Sequence, residues 1–397
     1  MYRRVVFAAA HSTSFDDASE AMQELAELPL LPKRIWRAAK RVGEERIAEC
    51  QAAAEAYEQL PLPARRGSPV EQVPRVACVQ MDGGRFQVRE REHASAEARA
   101  DSADSEGHWR EYKAGVLLSM TSDVHAEDPC PELPATFADP GKMRQMAREI
   151  KGFTHDAKES LETKEQVVAE SEDRPGRPEV LVKSVVATSG DVEAFGRRLV
   201  AAAYERGFHA AERKAFLGDG SATNWSVHRD HFSHYTPILD FVHALMYVYA
   251  AAMTGRPIEE GWFCYRDWAQ WLWSGEIDRL LAAVEQRQQE LGPPDKGETN
   301  TPRAVVATAL HYLTNHRERM RYDEYRKQGL PITTAAIEST IKQINRRIKG
   351  TEKFWDEGGD PMLQLVADRL SQTNAAAQFW SRRLDRLIHA SCYHQAS

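Results

Sequence analysis

The stretch RVACVQMDGGRFQVR (75–89) decides how this chain is read. Arg75 to Met81 is apolar and β-prone. Asp82-Gly83-Gly84 is a tight-turn sequence, and Arg85 to Arg89 alternates, with Phe86 and Val88 on one side. The pattern predicts a β-hairpin. Tyr112 to Met120 (YKAGVLLSM) reads as a third strand, giving an antiparallel meander. Further strands are expected at Leu181–Thr188, Lys214–Leu217 and Thr236–Leu239. Helical patterns lie between and after them, from Asp191 (Phe195, Leu199 and Ala202 on one face) and from Phe241 to Thr254. Strands mixed with helices predict an α/β fold.

Upstream, residues 12–50 read as helical. Ser14 precedes a helix with Asp16 and Asp17 in its first turn, and Ala18, Met22 and Leu25 form an apolar stripe. PLLP interrupts, and Pro32 opens a second helix carrying Lys33, Arg34, Arg37, Lys40 and Arg41. Two helices joined by a short turn, the second basic, make a helix-turn-helix outline. An ordinary helical hairpin with a solvated basic face is the commoner arrangement. The domain plan is 1–58 for that DNA-binding region and 59–74 for a proline-rich linker. Residues 73–255 and 331–355 form the core, with an acidic loop insertion at 122–180. Residues 256–330 form a helical insertion and 356–397 a C-terminal helical region.

Composition excludes several classes. Among 397 residues, 42% are hydrophobic and 28% charged, the proportions of a globular protein. The longest apolar run, Phe241 to Met253, is broken by His243 and too short to span a bilayer. The N-terminus reads as no secretory signal. Cys50, Cys78, Cys130, Cys264 and Cys392 are scattered with no CxxC pair, which removes the zinc-ribbon and thioredoxin readings and fits a reducing cytoplasm. The net charge is -7, but it is unevenly spread. Residues 90–179 hold 12 Lys and Arg against 21 Asp and Glu, whereas 301–397 hold 15 against 10. An acidic whole can therefore carry a basic working face.

Three carboxylates stand out. Asp82 opens the Gly-Gly turn, Asp219 follows a strand between two glycines, and Glu338 begins a long helix. Hard oxygen donors from three elements are what a magnesium pair requires, and such a pair can promote phosphoryl transfer. Each alone is an ordinary turn or helix-start residue. In the long helix Ile337, Ile341, Ile344 and Ile348 form a core stripe. One residue along, Glu338 heads Lys342, Asn345 and Lys349, with Arg346 beside them, a basic row suited to phosphates. Asp240 and His243 lie one turn apart at a strand-to-helix junction, where a core histidine bonded to a carboxylate is the commoner pattern. His228, His231 and His234 form HxxHxxH, whose spacing runs around a helix and argues against zinc. Trp262, Trp268, Trp271 and Trp273 fit a core before a base-stacking surface. The sequence holds no P-loop and no G-x-S-x-G elbow.

Several blocks resemble those of bacterial insertion-sequence transposases of the ISKra type. They are FLGDGSATNWSVHRDHF (216–232), YTPILDFVHALMYVYAA (235–251), GLPITTAAIESTIKQINRRIKGTEKFW (329–355), VQMDGGRFQVRE (79–90) and HWREYKAGVLLSM (108–120). The resemblance covers roughly residues 12–390. It implies a DDE transposase with a ribonuclease H-like mixed sheet and flanking helices, interrupted by an all-α insertion and preceded by a helix-turn-helix. It implies two Mg²⁺ (or Mn²⁺) ions on Asp82, Asp219 and Glu338, with Asp240 and His243 as a D-x-x-H signature. Double-stranded DNA is the implied partner, as terminal inverted repeats and as target, bound by a homo-oligomer in the bacterial cytoplasm at the nucleoid. Lys33, Arg34, Arg37, Lys40 and Arg41 would read the repeats. Lys342, Asn345, Arg346, Arg347 and Lys349 would hold phosphates. The resemblance also implies a cysteine-rich segment ahead of the helix-turn-helix, so a truncated reading frame is expected. A DNA-binding remnant and a hydrolysis-only nuclease are the alternatives.

Overall fold

A computed structural model describes residues 1–89, 109–149, 175–350 and 353–395. Residues 150–174 of the expected acidic insertion lie outside that set. At the N-terminus are α1 (Tyr2–His11), α2 (Phe15–Ala26), α3 (Pro32–Gln59) and the short α4 (Leu62–Arg65). A mixed sheet follows, built of β1 (Val76–Val88), β2 (Trp109–Thr121), β3 (Glu179–Thr188), β4 (Arg213–Gly218) and β5 (Thr236–Leu239). Between these strands lie α5 (Pro140–Glu149), α6 (Val192–Glu205) and α7 (Ala222–His231). Beyond β5 come α8 (Phe241–Met253), α9 (Ile258–Trp273), α10 (Ile277–Leu291), α11 (Pro302–His316), α12 (Tyr322–Lys327) and α13 (Ala335–Ile348). The two-residue β6 (Phe354–Trp355), α14 (Gly359–Leu370) and α15 (Ala375–Gln395) complete the described chain. Among the described residues, no helix is long and apolar enough to cross a membrane.

The sheet order is β3-β2-β1-β4-β5, with β6 against β1. β1, β2 and β3 are antiparallel neighbours, while β4 runs parallel to β1 and β5 parallel to β4. Successive side chains of a strand face opposite ways. Ala77, Val79 and Met81 therefore join Phe195, Leu199, Phe216 and Phe232 in a core under α6 and α7. Val76 and Cys78 join Leu217, Leu245 and Ile337 in the core on the other face, under α8 and α13.

The expected turn at Asp82-Gly83-Gly84 does not form. β1 runs unbroken through all three residues, and its hairpin partner is β2. The glycines serve cross-strand packing instead. Gly84 pairs with Tyr112, whose fully buried ring lies where a Cβ would go, about 2.5 Å from Cε1. A glycine in mid-strand often marks such a close approach. The α2 stripe is also shorter than expected. Ala18 and Met22 are buried, but Leu25 is 87% exposed. The helix stops at Ala26, Glu27 adopts a left-handed conformation, and Leu28 and Leu30 turn inward in Leu25's place.

One hydrophobic core runs through the described residues and contains Met22, Ile35, Val76, Leu245, Trp273, Leu313, Ile344 and Val366. Helix α3 crosses α14 at Gly43, where a Cβ would lie 2.5 Å from the Pro361 carbonyl oxygen. Nearby, Arg46 donates twice to Asp368, at 2.8 and 3.0 Å. Trp268 and Trp273 are buried, as a core reading of the tryptophans requires.

Gly43→Ala tests this crossing. Intrinsic helix preference favours alanine by about 0.5–1 kcal/mol. Overpacking against a backbone typically costs about 1–3 kcal/mol, so the contact should win and the variant should unfold at lower denaturant. A higher midpoint would show that α3 and α14 can separate freely.

Candidate active site

The site begins at the sheet. The β1–β4 register pairs Gln80 with Leu217, and two further residues set Asp82 beside Asp219. Both carboxylates line an open cavity of about 260 Å³, together with Lys113, Ser221 and Thr223. Asp82 accepts from the Gly83 N–H at 2.6 Å. Asp219 follows the last residue of β4, and its Oδ1 accepts from Ser221 N at 3.0 Å and Asn224 Nδ2 at 2.8 Å. Asn224 is buried and also donates to the Met81 carbonyl at 3.4 Å, so it ties the Asp219 turn to β1.

The third carboxylate arrives on α13, whose start is fixed by two buried side chains. Gln80 donates to Thr333 O at 3.0 Å and accepts from Ile337 N at 3.1 Å. Asp240, fully buried, accepts from Thr334 N at 2.7 Å through Oδ1. Its Oδ2 caps α8 by accepting from His243 N at 2.9 Å, and takes a second bond from His243 Nδ1 at 2.7 Å. One carboxylate thus holds the first turns of two helices. Glu338 lies in the first turn of α13, where Thr334 Oγ1 donates to it at 3.3 Å. One ligand-type atom from each of Asp240, His243 and Glu338 falls within a 4.8 Å group. Both Asp240 oxygens are already engaged, so Asp240 orients its neighbours. His243 and Glu338 are not among the residues lining the Asp82 and Asp219 cavity. The expected set of Asp82, Asp219 and Glu338 does not come together as one three-ligand group among the described residues.

Electrostatics joins these residues into one cluster. Burial pushes the Asp82 carboxyl above its ordinary range, and the charges of Asp219 and Asp240 push it further. Burial and the Asp240 charge do the same to Glu338, partly offset by His243 and Lys342. Burial opposes charging His243, but the Asp240 hydrogen bond and the charges of Asp240, Asp219 and Glu338 outweigh it, raising the imidazole to about 9. Burial works against the Asp240 charge too, yet the bonds from His243 and Thr334 hold it below the usual carboxylate range. At neutral pH the cluster therefore carries the His243 imidazolium beside its carboxylates, with Lys113 on the cavity wall and Lys342 near Glu338. The donors of Asp240, His243 and Glu338 lie close enough together that this group could hold a metal ion.

The expected cationic residues divide. On α13, Lys342, Arg346 and Lys349 are exposed, with Lys349 Nζ 5.5 Å from the Trp109 ring centre. Arg347 corrects the expectation of a phosphate contact. It is 3% exposed, donates to Ala9 O at 2.9 Å, and its guanidinium packs over Phe15 and Trp355. Residue 347 follows the Ile344 side of the helix, which faces the core. Asn345 is half-buried and accepts from Tyr112 OH at 2.9 Å, a tie between α13 and β2 in place of an open phosphate contact. On α3, Lys33, Arg34, Arg37 and Arg41 are exposed. Lys40 is drawn to Glu357 at 2.7 Å and Glu44 at 3.6 Å. The three histidines of HxxHxxH assemble no three-ligand metal group among the described residues. His228 instead bonds Tyr235 O at 3.0 Å.

Gln80, Asn224 and Thr334 were not anticipated. Gln80 is a polar residue inside an apolar strand, a visible signal of a buried hydrogen-bonding task. Asn224 and Thr334 stand in ordinary helix-start sequence and give no signal of their own. No protein-family model matches this chain, and no curated protein matches it.

The crowding makes a stability prediction. A carboxyl raised in the fold contributes stability below its unfolded value and loses it as pH rises through the folded value. Asp82→Asn and Glu338→Gln should therefore melt higher than the parent at pH 7.5 without divalent ions, with the gap closing below about pH 4. Millimolar Mg²⁺ should raise the melting temperature of the parent but not of the variants. Variants that melt lower without metal would contradict the described charge balance.

Proposed function

We propose that the chain is a DDE transposase with a ribonuclease H-like core. The observation that carries the reading is the gathering of carboxylates at one end of the sheet: Asp82 and Asp219 on the wall of one cavity, and Glu338 grouped with Asp240 and His243 at the helix starts beside it. The sheet order, with the first Asp on the first strand, the second after the fourth and the Glu on a late helix, fits the resemblance. So does the helical segment α9–α12, interposed between the second Asp and the Glu. The exposed cations at the start of α3 fit a helix-turn-helix that engages the element's ends.

Asp82, Asp219 and Glu338 would hold a pair of Mg²⁺ or Mn²⁺ ions, which when bound supply Lewis acidity at a phosphodiester. The chain's own residues then have distinct tasks. Asp240 fixes the His243 ring and keeps it protonated, so His243 offers a charged donor to a phosphate oxygen. Lys342, Arg346 and Lys349, along the exposed side of α13, take backbone phosphates and set the duplex over the cleft. The reaction is two in-line displacements. Water attacks the phosphodiester at the element's end, leaving a 3′-OH and a 5′-phosphate. That 3′-OH then attacks a target phosphodiester, losing its proton as the target's own 3′-oxygen leaves and takes one up. Neither needs a covalent protein intermediate, so no nucleophilic Ser or Tyr is required. The substrate is double-stranded DNA in the bacterial cytoplasm, and pairing two ends calls for a homo-oligomer.

Asp82→Asn, Asp219→Asn and Glu338→Gln should each abolish Mn²⁺-supported cleavage of DNA spanning the element's ends while leaving DNA binding intact. Persistent cleavage by any one removes that residue from the site. Joined products would separate transposition from hydrolysis alone. Lys349→Ala should weaken binding to all sequences and reduce the salt slope by about one. An unchanged slope would remove Lys349 from the phosphate path.

A further inference from the structure

Asp219 is held on two sides. Its side chain is bound within its own turn and helix, by Ser221 and Asn224. Its main-chain carbonyl accepts a 2.6 Å hydrogen bond from Tyr312 OH, which comes from α11, 93 residues further along. The next residue, Gly220, has φ +97° and lies against the same phenol, where a Cβ would meet the hydroxyl at 2.6 Å and Cε2 at 2.7 Å. The turn therefore rests on the Tyr312 ring, and only glycine allows it to sit that close.

The ring is itself fixed. It stacks on Tyr247 with centroids 3.7 Å apart and planes 16° from parallel. Tyr247 lies one helical turn beyond His243 on α8. His316, one turn beyond Tyr312 on α11, closes the other edge with its ring 4.7 Å away. A single phenol thus joins three elements: the turn that carries Asp219, the helix that carries His243, and a helix of the segment between β5 and α13.

We propose that Tyr312 is a positioning residue for the Asp219 carboxylate, and that α11 is thereby a working part of the cation site. The inference rests on the proposed metal-binding role of Asp82, Asp219 and Glu338. A movement of α11 would reach Asp219 through one hydroxyl and one ring face. Groups that orient a ligand from behind typically change metal affinity by about 10–100-fold when removed.

Tyr312→Phe deletes the hydroxyl and keeps the stack. The control is Tyr325→Phe, from the same helical segment, whose hydroxyl meets Pro237 O and Glu318 O away from the Asp219 turn. Mn²⁺ is titrated into the full-length protein and its paramagnetic resonance followed, with circular dichroism to verify folding. Tyr312→Phe should bind Mn²⁺ about 10-fold or more weakly, with an altered spectrum of the bound ion, while Tyr325→Phe matches the parent. Gly220→Ala, which drives a methyl into the ring, should weaken binding in the same direction. Parental Mn²⁺ affinity in Tyr312→Phe overturns the inference and leaves the cation site standing. Equal weakening in both phenylalanine variants also overturns it, because the effect would then be general loosening. A parent that binds no Mn²⁺ overturns the cation site and this inference together.

Discussion

The fully buried carboxylate of Asp240 is the constraint on which the site depends. An ionised carboxylate out of water costs several kcal/mol unless its lone pairs are occupied. Here both oxygens are occupied by groups whose positions matter: Thr334 N at the start of α13, and two nitrogens of His243 at the start of α8. Hydrogen bonds to a charged group contribute about 1.5–3 kcal/mol each, so the three together offset the desolvation. Satisfying the carboxylate therefore fixes where α13 begins, and with it where Glu338 stands. Gln80 makes the same connection from β1, so the helix start is tied to the strand that carries Asp82.

The arrangement gathers negative charge faster than it balances it. Asp82 on β1 lies beside Asp219 just after β4, Glu338 on α13 is grouped with Asp240 and His243, and the His243 imidazolium feels the charges of both Asp219 and Glu338. Core packing elsewhere supports this crowding. The α3–α14 crossing and the Arg46–Asp368 pair join α3 to α14, and the buried Arg347 joins α1 to the far end of α13. Carboxylates crowded in a rigid frame are the feature on which the proposed cation site rests.

Much of this was legible in the sequence, for physical reasons that differ by element. Strand β5 and the apolar face of α13 follow from simple periodicity, and both are found where periodicity puts them. The start of α2 follows from its capping residues, Ser14 and Asp17. Asp82-Gly83-Gly84 misleads because local turn preference and cross-strand packing select the same residue. Gly84 is required by the Tyr112 ring, a partner 28 residues away that no local window contains. Arg347 misleads because a basic residue on a basic helix reads as exposed, while the α1 carbonyl it serves lies 338 residues away in the chain. The candidate residues Asp82, Asp219, Asp240, His243 and Glu338 all stand out in the sequence, and of these the fold groups Asp240, His243 and Glu338. Of the side chains around them, Asn224 and Tyr312 give no sequence signal, and Gln80 shows only as a polar residue inside an apolar strand. Their partners are backbone groups and turns that become neighbours only after folding.

The most direct test of the central claim, that three carboxylates from separate elements form one cation site, is an anomalous difference map from crystals of the full-length protein grown with Mn²⁺. Manganese peaks in contact with Asp82, Asp219 and Glu338 are the predicted result. Ordered carboxylates with no manganese between them, or manganese bound only elsewhere, would contradict it.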